Sequence, residues 1–191
     1  MEAGDEQLML AYRGGDAAAF EQLYARHKGA LFRFVLRSIR QRALAEELYQ
    51  EVWMRVIEAR HRYEPSARGA DSPPAKFSTW LYAIAHNRLI DHWRKRGLQL
   101  VALDEEDASP AEAAADAAAD PLRQVEGREQ LRRFARALEA LPPAQREAFL
   151  LHEEAGMNVA EIARATGANE EAAKSRLRYA LSKLKEAVGD D

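Results

Sequence analysis

Residues 158–185 read NVAEIARATGANEEAAKSRLRYALSKLK, and the fold is decided here. Asn158 is a strong helix N-cap, and Glu161 stands three residues on, where its carboxylate reaches back to the N–H of the cap. The short helix this starts carries Ile162 for a core and Ala163 where a second helix must cross closely. Gly167 then suits a left-handed turn residue. Asn169 caps a second helix whose first turn holds Glu170 and Glu171, matched to the positive end of the helix dipole. Ala173, Leu177 and Leu181 are its expected buried stripe, and Lys174, Ser175, Arg176, Arg178, Lys183 and Lys185 line its wet side. A charge run alone is usually a solvated helix face. Here the short first helix, the glycine turn, the paired caps and the lack of any acid from Lys174 to Lys185 agree with one geometry, a helix-turn-helix presenting cations to a major groove.

Working outward, the composition fits an all-α chain: 47% hydrophobic residues with only 10 Gly and 7 Pro among 191, rich in Ala, Leu, Arg and Glu. There is no cysteine, so disulfides, Cys-ligated zinc and thiol sensing are out. No apolar run approaches the ~18 residues of a membrane span, and the start, Met1 to Glu6, is acidic; the expectation is a cytoplasmic protein without membrane insertion. The net charge of −3 hides an asymmetry. Arg88, Arg94, Lys95 and Arg96 cluster with His92 against Asp91, a second basic cluster spans Lys174 to Lys185, and between them no Lys or Arg occurs from Leu98 to Leu122.

Upstream, Asp16 is placed to cap a helix bearing Phe20, Leu23, Tyr24, Leu31, Phe34 and Val35, with Gly29 a weak point. A second helix follows Gln41-Arg42, with Leu44, Leu48, Val52 and Val56 as its stripe and a polar opposite side. Three prolines and a glycine between Arg60 and Lys76 call for a loop. Helix returns at Ser78 or Thr79 with Leu81, Ile84, Ala85 and Leu89 on one face. Trp80 reads as core, while Trp93 sits in the basic cluster with core and stacking roles both open. His86 and His92, six apart, do not share a helix face as a zinc pair would, so no metal site and no cofactor are expected. The division is residues 1–97 as one helical domain, 98–126 as a flexible acidic linker, and 127–191 as a second helical domain, in which Leu131, Phe134, Ala135 and Leu138 form the first stripe.

Taken together, the motifs resemble the bacterial sigma-70 family, in particular its extracytoplasmic-function (ECF) group. Ala45 to Trp53 (AEELYQEVW) and Phe77 to Asp91 (FSTWLYAIAHNRLID) look like region 2; Leu141 to Phe149 (LPPAQREAF) and the helix-turn-helix through Leu177 look like region 4. Ala172-Ala173 stand where the family often has Thr-Val, Tyr179 where it often has a basic residue, and the Arg60–Lys76 loop is long for the group. The resemblance implies a non-enzymatic initiation factor with core RNA polymerase, promoter DNA and an anti-sigma factor as partners, serving a stress or envelope-response regulon. With no cysteine in this chain, redox sensing would belong to the anti-sigma partner. It further implies core polymerase contact through Glu47, Gln50, Glu51, Met54 and Arg55, and recognition and melting of the −10 element through Asn87, Arg88, Asp91, Arg94, Lys95 and Arg96. The −35 element falls to Lys174, Ser175, Arg176, Arg178, Tyr179 and Lys183, and the acidic linker to the positively charged RNA path of the polymerase.

Two other classes compete. A ligand- or phosphate-sensing regulator would keep the helix-turn-helix, but the first domain offers no Gly-rich phosphate loop and no alternating strands. A helical metalloenzyme would use Glu46, Glu47 and Glu51, but no His joins them at a ligand spacing.

Overall fold

The computed structural model describes residues 3–65, 76–95 and 121–189. Among these, the regular structure is helical throughout: α1 (Asp5–Arg13), α2 (Ala17–Ile39), α3 (Arg42–Ala59), a 3-10 turn (Arg60–Arg62), α4 (Phe77–Lys95), α5 (Pro121–Ala140), α6 (Pro143–Ala155), α7 (Val159–Thr166) and α8 (Glu170–Gly189). The chain is all-α, as its composition requires. The prolines and glycine of the Arg60–Lys76 loop lie at residues 65–74, of which 66–75 fall outside the described residues, as do Arg96, Gly97 and the acidic segment 98–120.

Local chemistry sets the helix ends. Asp16 accepts from the N–H groups of Ala18 (3.0 Å) and Ala19 (3.3 Å) and starts α2; Gly29 does not interrupt that helix. Helix α1, whose Leu8 and Met9 are buried, was not anticipated. It fastens the helix that follows the loop: the Glu6 carboxylate accepts from Phe77 N–H at 3.0 Å, and Arg13 donates to the Tyr63 carbonyl at 2.9 Å. Asp5 ties α1 to α2 through Arg26 (2.7 Å) and His27 (2.6 Å).

Helices α1–α4 pack around Leu23, Leu31, Phe34, Leu48, Val52 and Leu81, all buried. Helices α5–α8 pack around Leu150, Leu151, Ile162, Ala173, Leu177 and Leu184. Three expectations need correction. Leu181 is 42% exposed, because the buried face of α8 is Ala173, Leu177, Ala180 and Leu184. Leu131 and Ala135 are exposed, so α5 contributes Leu138, with Phe134 half-buried. Residues 121–126, read as linker, are the start of α5, with Pro121 at its first position, where the missing N–H costs nothing.

The two halves lie against one another, α2 on α6 and α4 on α7.

Candidate nucleic-acid interface

The helix-turn-helix forms by the local chemistry read from its sequence. Glu161 N–H donates to Asn158 Oδ1 (3.0 Å) and Asn158 N–H donates back to Glu161 Oε2 (2.9 Å), closing the capping box of α7. Gly167 holds φ of 66°, and Ala172 N–H donates to Asn169 Oδ1 at 2.7 Å, capping α8. Ile162 and Ala163 are buried at the crossing. The other oxygen of Glu161 takes the Lys76 ammonium at 2.8 Å. Burial opposes ionisation there, but the Lys76 and Asn158 hydrogen bonds outweigh it and hold the carboxyl below its ordinary range.

On α8, Lys174, Arg178, Tyr179 and Lys183 are exposed, whereas Ser175 and Arg176 are half-buried. By helical position Ser175, Tyr179 and Ser182 run down the centre of the wet face. Lys174 and Arg178 flank one side of this line and Arg176 and Lys183 the other. The Arg178 guanidinium lies 5.3 Å from the centre of the Tyr179 ring, and Lys183 pairs with Glu186 at 2.9 Å.

On α4, Trp80, Ile84, Asn87 and Asp91 share one side at the edge of the buried face, with Trp80 and Ile84 packed against the core. Asn87 is exposed; Trp80 is half-buried, its ring 5.3 Å from that of Tyr63. Asp91 pairs with Arg94 at 2.8 Å, and Lys95 is exposed. Arg88 faces the other way. Its guanidinium grips Glu51 of α3, with Nε donating at 3.1 Å, and its side chain is only 18% exposed. Glu51 and Arg88, expected to serve two different partners, are each other's partner here, and charge neutralisation across the α3–α4 seam is the physical reason. On α3 the outward positions are Glu47, Gln50 and Met54, the last 56% exposed; Arg55 pairs with Glu58 at 3.1 Å. Among the described residues no group of His, Asp and Glu is arranged to hold a metal ion, and no helix is long and apolar enough to cross a membrane.

A capped helix-turn-helix beside a helical unit with a basic, aromatic-bearing helix is the arrangement of a DNA-binding protein. The comparisons narrow this. Residues 23–99 match Sigma-70 region 2 and residues 131–184 match Sigma-70, region 4. The RNA polymerase sigma factor CarQ of Myxococcus xanthus is 36% identical over 95% of this chain and 96% of its own length. The ECF RNA polymerase sigma factor SigK of Mycobacterium tuberculosis is 29% identical over 96% and 92%. Among solved structures, CnrH, in complex with the cytosolic domain of CnrY, superposes with a TM-score of 0.66 over 99% of both chains at 23% identity, a likeness of fold. Sigma factor RpoE of Bartonella quintana, crystallised with the anti-sigma factor NepR, gives 0.66 over 90% of this chain and 98% of its own at 25% identity. The chain belongs to the ECF group of the sigma-70 family of RNA polymerase sigma factors, and is a transcription-initiation factor.

Proposed function

We propose that this sigma factor docks on core RNA polymerase through the outward face of α3, with Glu47, Gln50 and Met54 as contacts and Glu51 and Arg55 at its edge, and divides the promoter between its halves. Residues 1–97 read and open the −10 element, and residues 127–191 read the −35 element. Asn87, Asp91 and Trp80 on α4 meet an unpaired base as strands separate, while Arg94, Lys95 and Arg96 draw in the backbone and Arg88 holds α4 on α3. On α8, Arg178 and Lys174 reach base edges and phosphates from one flank, Arg176 and Lys183 from the other, with Ser175 and Tyr179 between them. The chain does no chemistry of its own and works in the cytoplasm. The observation that carries the reading is the placing of exposed cations on α8, on the wet side of a helix-turn-helix whose caps and turn are all formed.

Control by an anti-sigma factor belongs to the same reading; it is supported by the RpoE relative, solved with one. The test is run-off transcription from a genomic promoter library with purified core polymerase. Adding the chain is expected to create discrete start sites, and Glu47→Lys is expected to abolish them by weakening core binding at least tenfold. Identical transcripts with and without the chain would refute the assignment.

A further inference from the structure

An α-helix begins with N–H groups that none of its own carbonyls can take, and the residue before the first turn normally supplies an acceptor. Helix α4 is not served in this way. Lys76 stands in the capping position with an ammonium that only donates, and that ammonium is held by Glu161 at 2.8 Å. The hydroxyl of Thr79, in the first turn, is buried and has no hydrogen-bond partner among the described residues. The acceptor comes from α1, 71 residues upstream: Glu6 Oε1 takes the Phe77 N–H at 3.0 Å. A carboxylate there also faces the positive end of the α4 dipole. Trp80, three residues on, donates its N–H to the Lys76 carbonyl at 3.2 Å, so it is held by the turn that Glu6 closes.

Glu6 is carried on a fixed support. Asp5 beside it is pinned to α2 by Arg26 at 2.7 Å and His27 at 2.6 Å, and Leu8 and Met9 just beyond it are buried. The same helix fastens Tyr63, whose carbonyl accepts from Arg13 at 2.9 Å. The Tyr63 ring lies 5.3 Å from that of Trp80 and 6.1 Å from that of Phe77, and Phe77 and Trp80 are 6.1 Å apart. Tyr63 and Phe77 are buried and Trp80 is half-buried. Burial, followed by the charges of Glu6 and Asp5, pushes the Tyr63 hydroxyl up, so the carboxylates of α1 are felt within this aromatic group. Trp80 thus rests on two rings whose backbones α1 holds, one through Glu6 and the other through Arg13.

We propose that Glu6 is a positioning residue for promoter opening: it caps α4 from across the fold and fixes the first turn, and with it Trp80, in the pose that receives an unpaired base. Glu6 touches no DNA itself. Loss of the cap frays the first turn and leaves Asn87, about 15 Å further along α4, in place. Closed-complex formation draws on the cations of α4 and α8 and does not depend on the cap. The proposal rests on the assignment of α4 to the −10 element.

The test uses the holoenzyme on a duplex promoter and on the same promoter pre-melted at −10. Glu6→Ala is expected to slow opening of the duplex about fivefold, the size of a lost N-cap, with closed-complex affinity unchanged and the pre-melted template used at the wild-type level. Glu6→Gln keeps an acceptor for Phe77 and is expected to retain most of the opening rate. A cap supplied by α4 itself tests the cause: adding Lys76→Ser to Glu6→Ala is expected to return opening to the rate of Lys76→Ser alone, which a general loss of packing would not do. With 5-fluorotryptophan at the three tryptophans, Glu6→Ala is expected to shift the fluorine resonance of Trp80, assigned through Trp80→Phe, and to leave that of Trp53 unmoved. An unchanged opening rate in Glu6→Ala, an equal loss on both templates, no recovery with Lys76→Ser, or an unmoved Trp80 resonance would each overturn the proposal. Asn87→Ala is scored beside these variants. Opening unaffected by that change would remove the reading of α4, and the role of Glu6 in opening with it, while the Trp80 resonance would still report the cap.

Discussion

Arg40 ends α2 with φ of 66°, among the described residues the one non-glycine in the left-handed region. For an L residue that conformation costs about 1–2 kcal/mol, and the exposed pair it makes with Glu139 contributes about 0.2–1 kcal/mol. Glycine relieves the strain but loses the pair and adds about 0.4–1 kcal/mol of unfolded-chain entropy, so the three terms nearly cancel. Arg40→Gly is therefore expected to lie within about 0.5 kcal/mol of the wild type in urea denaturation, whereas Arg40→Ala, which keeps the strain and loses the pair, falls about 0.5–1 kcal/mol below it. Glu51 and Arg88 carry a second residue-level consequence. Because Glu51 is engaged by Arg88, Glu51→Gln is expected to disturb α4 more than polymerase docking. The measurement is core binding beside open-complex yield on duplex and pre-melted promoters: affinity is expected within threefold of the wild type, with opening of duplex reduced several-fold and the pre-melted template largely rescued.

At the scale of the helix, α7 hangs on its capping box. The folded Glu161 carboxyl is held below its ordinary value of 4.5, so its contribution is complete above that value and is lost as pH falls through the lower folded one. The stability advantage of the wild type over Glu161→Gln is therefore expected to be constant near pH 6–7 and to shrink below pH 4.5, read as the difference between their thermal midpoints. On α8, Arg178 is exposed and Arg176 half-buried, so Arg178→Ala is expected to cost about 1–3 kcal/mol of promoter affinity and to flatten preference at one or two −35 positions. A −35 library bound by holoenzyme reads both effects. These elements were legible because their signals are local: Asn158 with Glu161, Gly167 and Asn169 lie within twelve residues. The error at Leu181 came from stepping 173, 177, 181, which drifts about 40° per step on a 3.6-residue helix. The true face alternates steps of four and three through Ala180 and Leu184, where a small alanine hid the pattern. Helix α1 was missed although Leu8, Met9 and Tyr12 after Asp5-Glu6 carry a short helical signal.

For the whole molecule, the packing of α2 on α6 and α4 on α7 joins two four-helix units into one body. The order of the helices was legible in the sequence, while the packing of one half on the other was not. The arginine stripe on α2 and the glutamate stripe on α6 are both visible in the chain, but their partners stand 117 and 121 residues apart, and periodicity does not say which stripe meets which. If the halves share stability through this seam, calorimetry is expected to show one unfolding transition for the wild type and two for Arg33→Glu with Arg37→Glu, the weaker unit melting first. A single transition in both would mean that the units are matched in stability without the seam.

The carboxylate of Glu161 closes the cap of α7 with one oxygen and holds Lys76 with the other. A change to Gln keeps an acceptor for the cap and gives up the charge, and it requires one base in the codon. One such step would part Lys76 from α7 and leave the exposed cations of α8 untouched.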